Sequence, residues 1–293
     1  MKAETVHFPL KKMNAWVTSI TRDSYVVGGQ ALARSLFSAN SRYTLLVLVT
    51  PQLSNAAKEM LATEPNIVVL SVEPYKLPDG IKVNYAFERF AEAWNKLRCW
   101  EIIGYDKLCW LDADMCVLQN MDEIFDALPA DKNFAASHAC ICNPNKVATY
   151  PSWWTPENCH YTSHLKPNSK RYFNAGMLLF RPSKSTLAEM EEYLKQHANI
   201  ESYIFAEQDF LNEFFHDWLE LSFVYNALKT LVVAHSDVWN ITKIKNIHYI
   251  MEKPWEAHPS VCKNENDPYD DINRMWWLVF HRLNTPNVIE PWK

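Results

Sequence analysis

Between Thr44 and Thr50 the chain runs Leu45-Leu46-Val47-Leu48-Val49, with Pro51 immediately behind it. An extended strand points successive side chains to opposite faces, so a strand that is apolar at every position needs cover on both. That requirement selects a central strand of a parallel sheet with helices above and below it. The neighbouring segments alternate in the same sense. Trp16 to Thr21 reads as a first strand, and a helix follows from about Tyr25 to Ala39, with Leu32, Leu36 and Phe37 as its buried stripe. Gly28-Gly29 early in that helix allows a close backbone approach. Ser54 is placed to cap a helix running through Thr63, and Ile67 to Ser71 supplies a third strand. Strand and helix in alternation predict an α/β chain with a doubly wound, mostly parallel sheet. With 48% hydrophobic residues over 293 positions, no internal repeat and no Gly/Ser linker, a single domain spanning 1–293 is expected.

A second apolar run, Leu108-Cys109-Trp110-Leu111, ends in Asp112-Ala113-Asp114. Ligands of open parallel sheets bind beyond the carboxyl ends of the strands, which is where these carboxylates fall. Alternate residues of an extended strand share a face, so Asp112 and Asp114 are expected to point the same way. Two such charges repel by roughly 4 kcal/mol at an effective dielectric of about 20. A cation beside them relieves the repulsion, and oxygen ligands suit a hard divalent ion carrying a polyphosphate.

Composition narrows the remaining classes. A net charge of -5 argues against sequence-independent nucleic-acid binding, so a polyanionic substrate has to be held by local cations or a metal. The 5 glycines form neither a G-x-G-x-x-G nor a Walker A loop. Met1 to Asn14 carries Lys2, Glu4, His7, Lys11 and Lys12 and no long apolar run, so a cytoplasmic chain with no membrane span is expected. The cysteines, Cys99, Cys109, Cys116, Cys140, Cys142, Cys159 and Cys262, lack zinc-site spacing. They read as reduced, mostly core thiols in preference to a disulfide framework or a structural zinc, although Cys140-Ile141-Cys142 followed by Cys159 stands out among them.

Further along, Phe87, Phe90, Trp94 and Leu97 recur at helical spacing between Tyr85 and Tyr105, and on periodicity alone Lys96 beside that stripe reads as a solvated lysine. Met121 to Leu128 reads as a short helix and Phe134 to Ser137 as a short strand. Residues 140–171 have no period, and so long an irregular segment inside a compact chain is more often a functional loop than filler. Its Trp153, Trp154 and Tyr161 suit either stacking on a sugar or packing the loop down. Tyr172 to Phe180 is an apolar strand opened by Asn174 and Gly176, and after Pro182 a helix extends to about Gln196. Glu207, Gln208 and Asp209 open another helix, where acidic groups favour the N-terminal dipole. An apolar segment from Leu231 to Ala234 precedes a short strand, Asn246 to Tyr249, that carries His248. The tail 268–293, with Met275, Trp276, Trp277, Val279 and Phe280, reads as a terminal helix packed on the body.

Taken together, the segments Val17-Thr18 to Tyr25, Lys96-Leu97-Arg98-Cys99-Trp100, Leu111-Asp112-Ala113-Asp114 and Phe173-Asn174-Ala175-Gly176-Met177 resemble glycosyltransferase family 8, the family of glycogenins and galactinol synthases. Phe205 to Asn212, Val224-Tyr225-Asn226, Ile247-His248-Tyr249 and Lys253-Pro254-Trp255 extend the resemblance in the same order. It implies a Rossmann-like nucleotide-diphospho-sugar transferase fold of the GT-A type, a UDP-sugar donor, transfer with retention, and manganese, or alternatively magnesium, as cofactor. On this resemblance Asp112, Asp114 and His248 are the metal ligands and Lys253 holds the phosphates. Thr18, Thr21 and Tyr25 cradle the nucleoside, while Lys96, Ala113, Asn174, Ala175 and Gly176 fall on donor-contacting positions. Glu207 and Gln208 take the catalytic places, either stabilising an oxocarbenium-like sugar or forming a covalent intermediate.

Departures from the glycogenin pattern shape the expected acceptor. Arg22 stands where glycogenins carry Asn, Glu207 where they carry Asp, and the glycine expected between His248 and Lys253 is absent. Val233 occupies the place of the self-glucosylated tyrosine, which excludes self-glucosylation there. A small polyol or carbohydrate acceptor is therefore expected, galactinol synthesis from UDP-galactose and myo-inositol being the most specific form, with a homodimer as an added expectation. The alternatives are a glycogenin-like glucosyltransferase lacking that tyrosine and a non-catalytic UDP-sugar-binding protein. A sugar-nucleotide pyrophosphorylase would need a glycine-rich basic signature that Asn14 to Gly29 lacks.

Overall fold

The computed structural model describes residues 13–77, 88–163, 170–196, 200–258 and 264–281. Tyr85, Phe87, Cys262 and the tail beyond His281, all singled out in the sequence, lie outside the described residues. The first half of the chain follows the expected alternation: β1 (Met13–Ile20), α1 (Val26–Ser38), β2 (Leu45–Val49), α2 (Asn55–Ala62) and β3 (Ile67–Ser71). After a 3-10 segment over Glu88–Glu101 come β4 (Tyr105–Leu111), β5 (Met115–Val117), β6 (Phe134–His138), α3 (His160–Ser163) and β7 (Phe173–Phe180). The remainder is α4 (Lys184–Gln196), α5 (Glu207–Phe214), β8 (Leu219–Glu220), β9 (Ala227–Leu228), α6 (Leu231–Ala234), β10 (Asn246–His248) and α7 (Asp270–His281).

Seven strands form the main sheet in the order β3-β2-β1-β4-β7-β6-β8. All run parallel except β7, which is antiparallel to both β4 and β6. The apolar run in β2 is buried at every residue, as its composition requires. Its side chains divide between the two faces. Leu46 and Leu48 join Val17, Trp110, Leu178, Trp94 and Trp100 in one core layer, while Leu45, Val47 and Val49 join Trp16, Cys109, Leu179, Leu32 and Leu61 in the other. A smaller sheet, β5-β10-β9, leans on α1 and on α7, whose Trp276 is fully buried.

Two local expectations are corrected. Phe37 is 49% exposed, and the α1 stripe is carried by Leu32 and Leu36 without it. The expected α-helix before β4 is 3-10 over its described part. A 3-10 helix repeats every three residues, and Trp94, Leu97 and Trp100 at that spacing are all buried, with Trp100 stacked on Phe180 at 4.1 Å between centroids. The described cysteines are free and mostly buried, as expected, and Cys140, Cys142 and Cys159 in addition gather around His235. Spacing hid that cluster because His235 lies 76 residues beyond Cys159. Ser54 does cap α2, its hydroxyl accepting from Ala57 N at 3.1 Å. Among the described residues no helix is long and apolar enough to cross a membrane.

Candidate active site

β4 ends at Leu111, and the two aspartates do not continue it. Met115 N donates to Asp112 O at 3.1 Å and closes a tight turn. Asp112 and Asp114 therefore meet through turn geometry, not by sharing a strand face as the extended reading expected. The chain re-emerges as β5, which pairs antiparallel with β10 so that Met115 lies opposite His248. That pairing sets the His248 Nε2 at 3.2 Å from Asp114 Oδ1 and 3.7 Å from Asp112 Oδ2. One ligand atom from each of the three lies within 4.8 Å of the others. Asp114 Oδ1 is buried and accepts no hydrogen bond, an arrangement that costs free energy unless a cation uses it.

Two buried lysines flank the pair. The Lys253 ammonium donates to Asp114 Oδ2 and, at 2.9 Å, to Tyr249 O. Lys96 is 3% exposed, not solvated as its periodicity suggested, and donates to Ala175 O at 2.6 Å and Glu207 Oε1 at 2.7 Å, with Asp112 Oδ1 at 3.3 Å. Burial alone would push the Lys96 ammonium down, but the carboxylates of Asp112 and Glu207 outweigh it and hold its pKa above the usual value. Burial would push the Asp114 carboxyl up, yet Lys253 and His248 hold it well below the usual carboxylate range. Glu207 is raised by burial, an effect Lys96 only partly offsets. Three carboxylates against two ammonium groups leave one net negative charge in a site largely screened from water.

The far side of the site is built by β7 and α5. Because β7 runs against its neighbours, its first residues, Asn174 to Gly176, lie where β4 ends, and Asp112 N donates to Gly176 O at 2.8 Å. Gly176 is required there: a Cβ would sit 2.2 Å from His248 Cε1. α5 is entered through Ala206 at φ 47, a left-handed conformation that is strained for a residue with a side chain. Asp209 secures this turn by accepting from Ile204 N and Phe205 N, both at 2.7 Å. Glu207 and Gln208 are thereby aimed into the site. Amide side chains then link the two sides: Gln208 Oε1 accepts from Ala175 N at 2.9 Å and Asn174 Nδ2 at 3.1 Å, and Asn174 Oδ1 from Asn226 Nδ2 at 3.0 Å. Asn226 Oδ1 meets His248 Nδ1 at 3.1 Å.

These groups surround one cleft of about 280 Å³. Thr21, Tyr25, Lys96, Ala113, Asn174, Ala175, Gly176, Glu207, Gln208 and Lys253 line it together with Asp112, Asp114 and His248. Thr18 does not; it is fully buried in β1, and the neighbouring Ser19 reaches the cleft instead. Trp154 lines the cleft while stacked on Phe205, so packing and exposure to a ligand coincide in it; Tyr161 is buried and donates to His138 O. Trp110 received no role from the sequence, yet its Nε1 donates to Asp112 Oδ1 at 2.6 Å. Its position two residues before Asp112 was the available signal. Asn226 stood in the Val224-Tyr225-Asn226 motif but was given no role, since its partner His248 is 22 residues away. Glu92, which accepts from Thr21 and Arg22, was missed likewise.

The sequence profile of Glycosyl transferase family 8 matches residues 17–258. The chain belongs to this family. As a family 8 member it is a sugar-transferring enzyme, and galactinol synthases are among its similar relatives. It is 31% identical to galactinol synthase 1 of Solanum lycopersicum over 92% of its own length and 83% of that protein, and 30% identical to galactinol synthase 3 of Arabidopsis thaliana over 92% and 82%. In fold, this family 8 chain is similar to the galactosyltransferase LgtC in complex with donor and acceptor sugar analogues, with a TM-score of 0.63, 20% identity, and 95% and 98% of the two chains covered. It is also similar to the glycosyltransferase GlyE of Streptococcus pneumoniae, with a TM-score of 0.60, 17% identity, and 96% and 66% covered. The expected α/β, GT-A-type architecture is thus the one observed.

Proposed function

We propose that this family 8 enzyme moves a hexose from a UDP-sugar to a small polyol or sugar acceptor with retention, the specific reaction being galactose transfer from UDP-galactose to myo-inositol. The observation that carries the proposal is the meeting of Asp112, Asp114 and His248 in one cleft, with Lys253 at one side and Lys96, Glu207 and Gln208 at the other. The likeness to galactinol synthases supplies the acceptor.

The donor set fits a divalent cation: two carboxylates, an imidazole nitrogen, an orphaned buried oxygen and a net negative charge. Asp112, Asp114 and His248 would hold it, with manganese preferred because an imidazole joins the oxygen ligands. When bound, such an ion supplies Lewis-acid stabilisation of the departing diphosphate. Lys253, beside Asp114, brings a second positive charge to the same phosphates. Thr21 and Tyr25, at the end of the cleft formed by β1 and α1, take the nucleoside, with the tyrosine ring held edge-on by Trp255 at 5.6 Å. Thr18 acts only from behind this wall.

Which oxygens are engaged bears on how the proposed retention is achieved. Glu207 is paired with Lys96, and Gln208 Oε1 accepts two hydrogen bonds, so neither is poised to form a bond to the anomeric carbon. That supports attack by the acceptor on the face from which UDP leaves, its proton passing to the departing phosphate. Glu207 and Gln208 stabilise the positive sugar through their field and hold it in place.

The deciding experiment incubates the purified chain with UDP-galactose or UDP-glucose and with myo-inositol, glucose or glycans, in manganese and in EDTA. The expected product is galactinol with an α linkage, formed from UDP-galactose and lost in EDTA. Reaction of another acceptor while inositol stays inert overturns the acceptor, and turnover unchanged in EDTA overturns the metal.

A further inference from the structure

Three thiols and one imidazole converge outside the cleft. Cys140 and Cys142 follow β6, Cys159 directly precedes α3, and His235 closes the C-terminal end of α6. One ligand atom from each lies within 4.8 Å of every other. His235 Nε2 is 3.1 Å from Cys142 Sγ and 3.6 Å from Cys159 Sγ. Cys140, Cys159 and His235 are buried and Cys142 half-buried. Tetrahedral zinc with bonds of about 2.3 Å to sulfur and about 2.0 Å to nitrogen spaces its sulfurs roughly 3.8 Å apart and sulfur from nitrogen by roughly 3.5 Å. The two sulfur–nitrogen distances of 3.1 and 3.6 Å bracket that value, and every other pair lies within 4.8 Å. Three thiols converging with an imidazole supply the soft ligand set that zinc takes in closed structural sites.

We propose that Cys140, Cys142, Cys159 and His235 form a structural zinc site. Four protein ligands leave no open position, so the ion does no chemistry on substrate. Its work is mechanical. The ligands come from three separate segments, and the ion ties the start and end of the irregular loop 140–159 to α6. Between those tie points lie Asn143, Tyr150 and Trp154, which form one wall of the cleft. A loop of this length without regular structure pays a large ordering entropy, and a metal cross-link reduces it. The hydroxyl of Thr162, 3.6 Å from Cys142 Sγ, is placed to support that thiolate from outside the ligand set. The site is independent of the Asp112, Asp114 and His248 set and of the donor and acceptor proposed above.

The test is the metal content of the full-length chain, purified without chelator. About one zinc per chain is expected, undiminished in Asp114→Asn, lost in Cys142→Ser and retained in His235→Cys, which substitutes a fourth thiolate. No zinc in the wild type overturns the proposal, as does zinc that disappears in Asp114→Asn, or a disulfide among the three cysteines found by mass spectrometry after alkylation. If Cys142→Ser does not fold, the wild type loaded with cobalt decides. Thiolate-to-cobalt charge transfer in the near ultraviolet with intense tetrahedral bands in the visible supports the site. Only the weak bands of an octahedral oxygen and nitrogen site overturn it.

Discussion

His248 donates from Nδ1 to Asn226 Oδ1, and the surrounding network dictates that direction. The Asp209 carboxylate can only accept, so the Tyr172 hydroxyl donates to it and must accept from Gln208 Nε2. Backbone N–H groups of Ala175 and Gly176 identify the oxygens of Gln208 and Asn174, and Asn174 in turn turns the nitrogen of Asn226 toward itself. Asn226 is left presenting oxygen to the imidazole. Nδ1 therefore carries a proton, and Nε2 is the ring nitrogen that faces the two aspartates.

Asn226→Leu removes the group that orients this tautomer. Manganese affinity in the presence of UDP is expected to fall about 10- to 100-fold, the usual cost of losing a partner of a metal-bound histidine. Titration followed by manganese electron paramagnetic resonance measures it, and an unchanged affinity contradicts the network.

Gly176→Ala places a Cβ 2.2 Å from His248 Cε1 and 2.6 Å from its Nδ1. The ring has to leave its position. A displacement of about 1 Å at a reacting centre costs on the order of 100-fold, so kcat is expected to drop by at least that much while the circular dichroism spectrum stays native.

Lys96→Met leaves Glu207 buried without its 2.7 Å partner. Breaking a buried pair on one side destabilises by about 3–5 kcal/mol, whereas replacing both partners by apolar groups is close to neutral. Urea unfolding should therefore show Lys96→Met far less stable than the wild type and the double variant Lys96→Met, Glu207→Leu largely recovered. Both should be inactive. A double variant no more stable than the single one refutes the pairing.

Asp209→Asn tests the turn before α5 through its pH dependence. Burial raises the Asp209 carboxyl above 3.8, with the N–H of Phe205 and the hydroxyl of Tyr172 only partly opposing it. A raised folded pKa means that the native state holds the proton more tightly, so this group's contribution to stability is full below the unfolded pKa and is lost as pH rises through the folded one. Asparagine does not titrate. The destabilisation caused by the substitution should therefore shrink as pH rises above the ordinary aspartate value of 3.8, read from urea midpoints at each pH, and a cost that grows with pH contradicts the assignment.

Elements whose signal is local were legible. The all-apolar β2, the Ser54 cap and the end of β4 at Leu111 each follow from residues within a few positions of one another. Lys96 was not, because a buried lysine is tolerated only by partners at Asp112 and Glu207, the latter 111 residues away. The 3-10 form of the segment before β4 was hidden for a different reason. Spacings of three and of three-to-four residues produce nearly the same apolar stripe over a short run.

The order of strands and helices, the carboxylate pair at the end of β4 and the histidine on β10 were determined by the sequence itself, since periodicity, apolar runs and family motifs are written in short stretches. Tertiary structure alone decided that β7 runs antiparallel and delivers Asn174 to Gly176 to the site, that Asn226 orients His248, and that His235 joins three cysteines. Each of these depends on groups brought together by chain closure, and their stability is a property of the packed ensemble of contacts that no single segment contains.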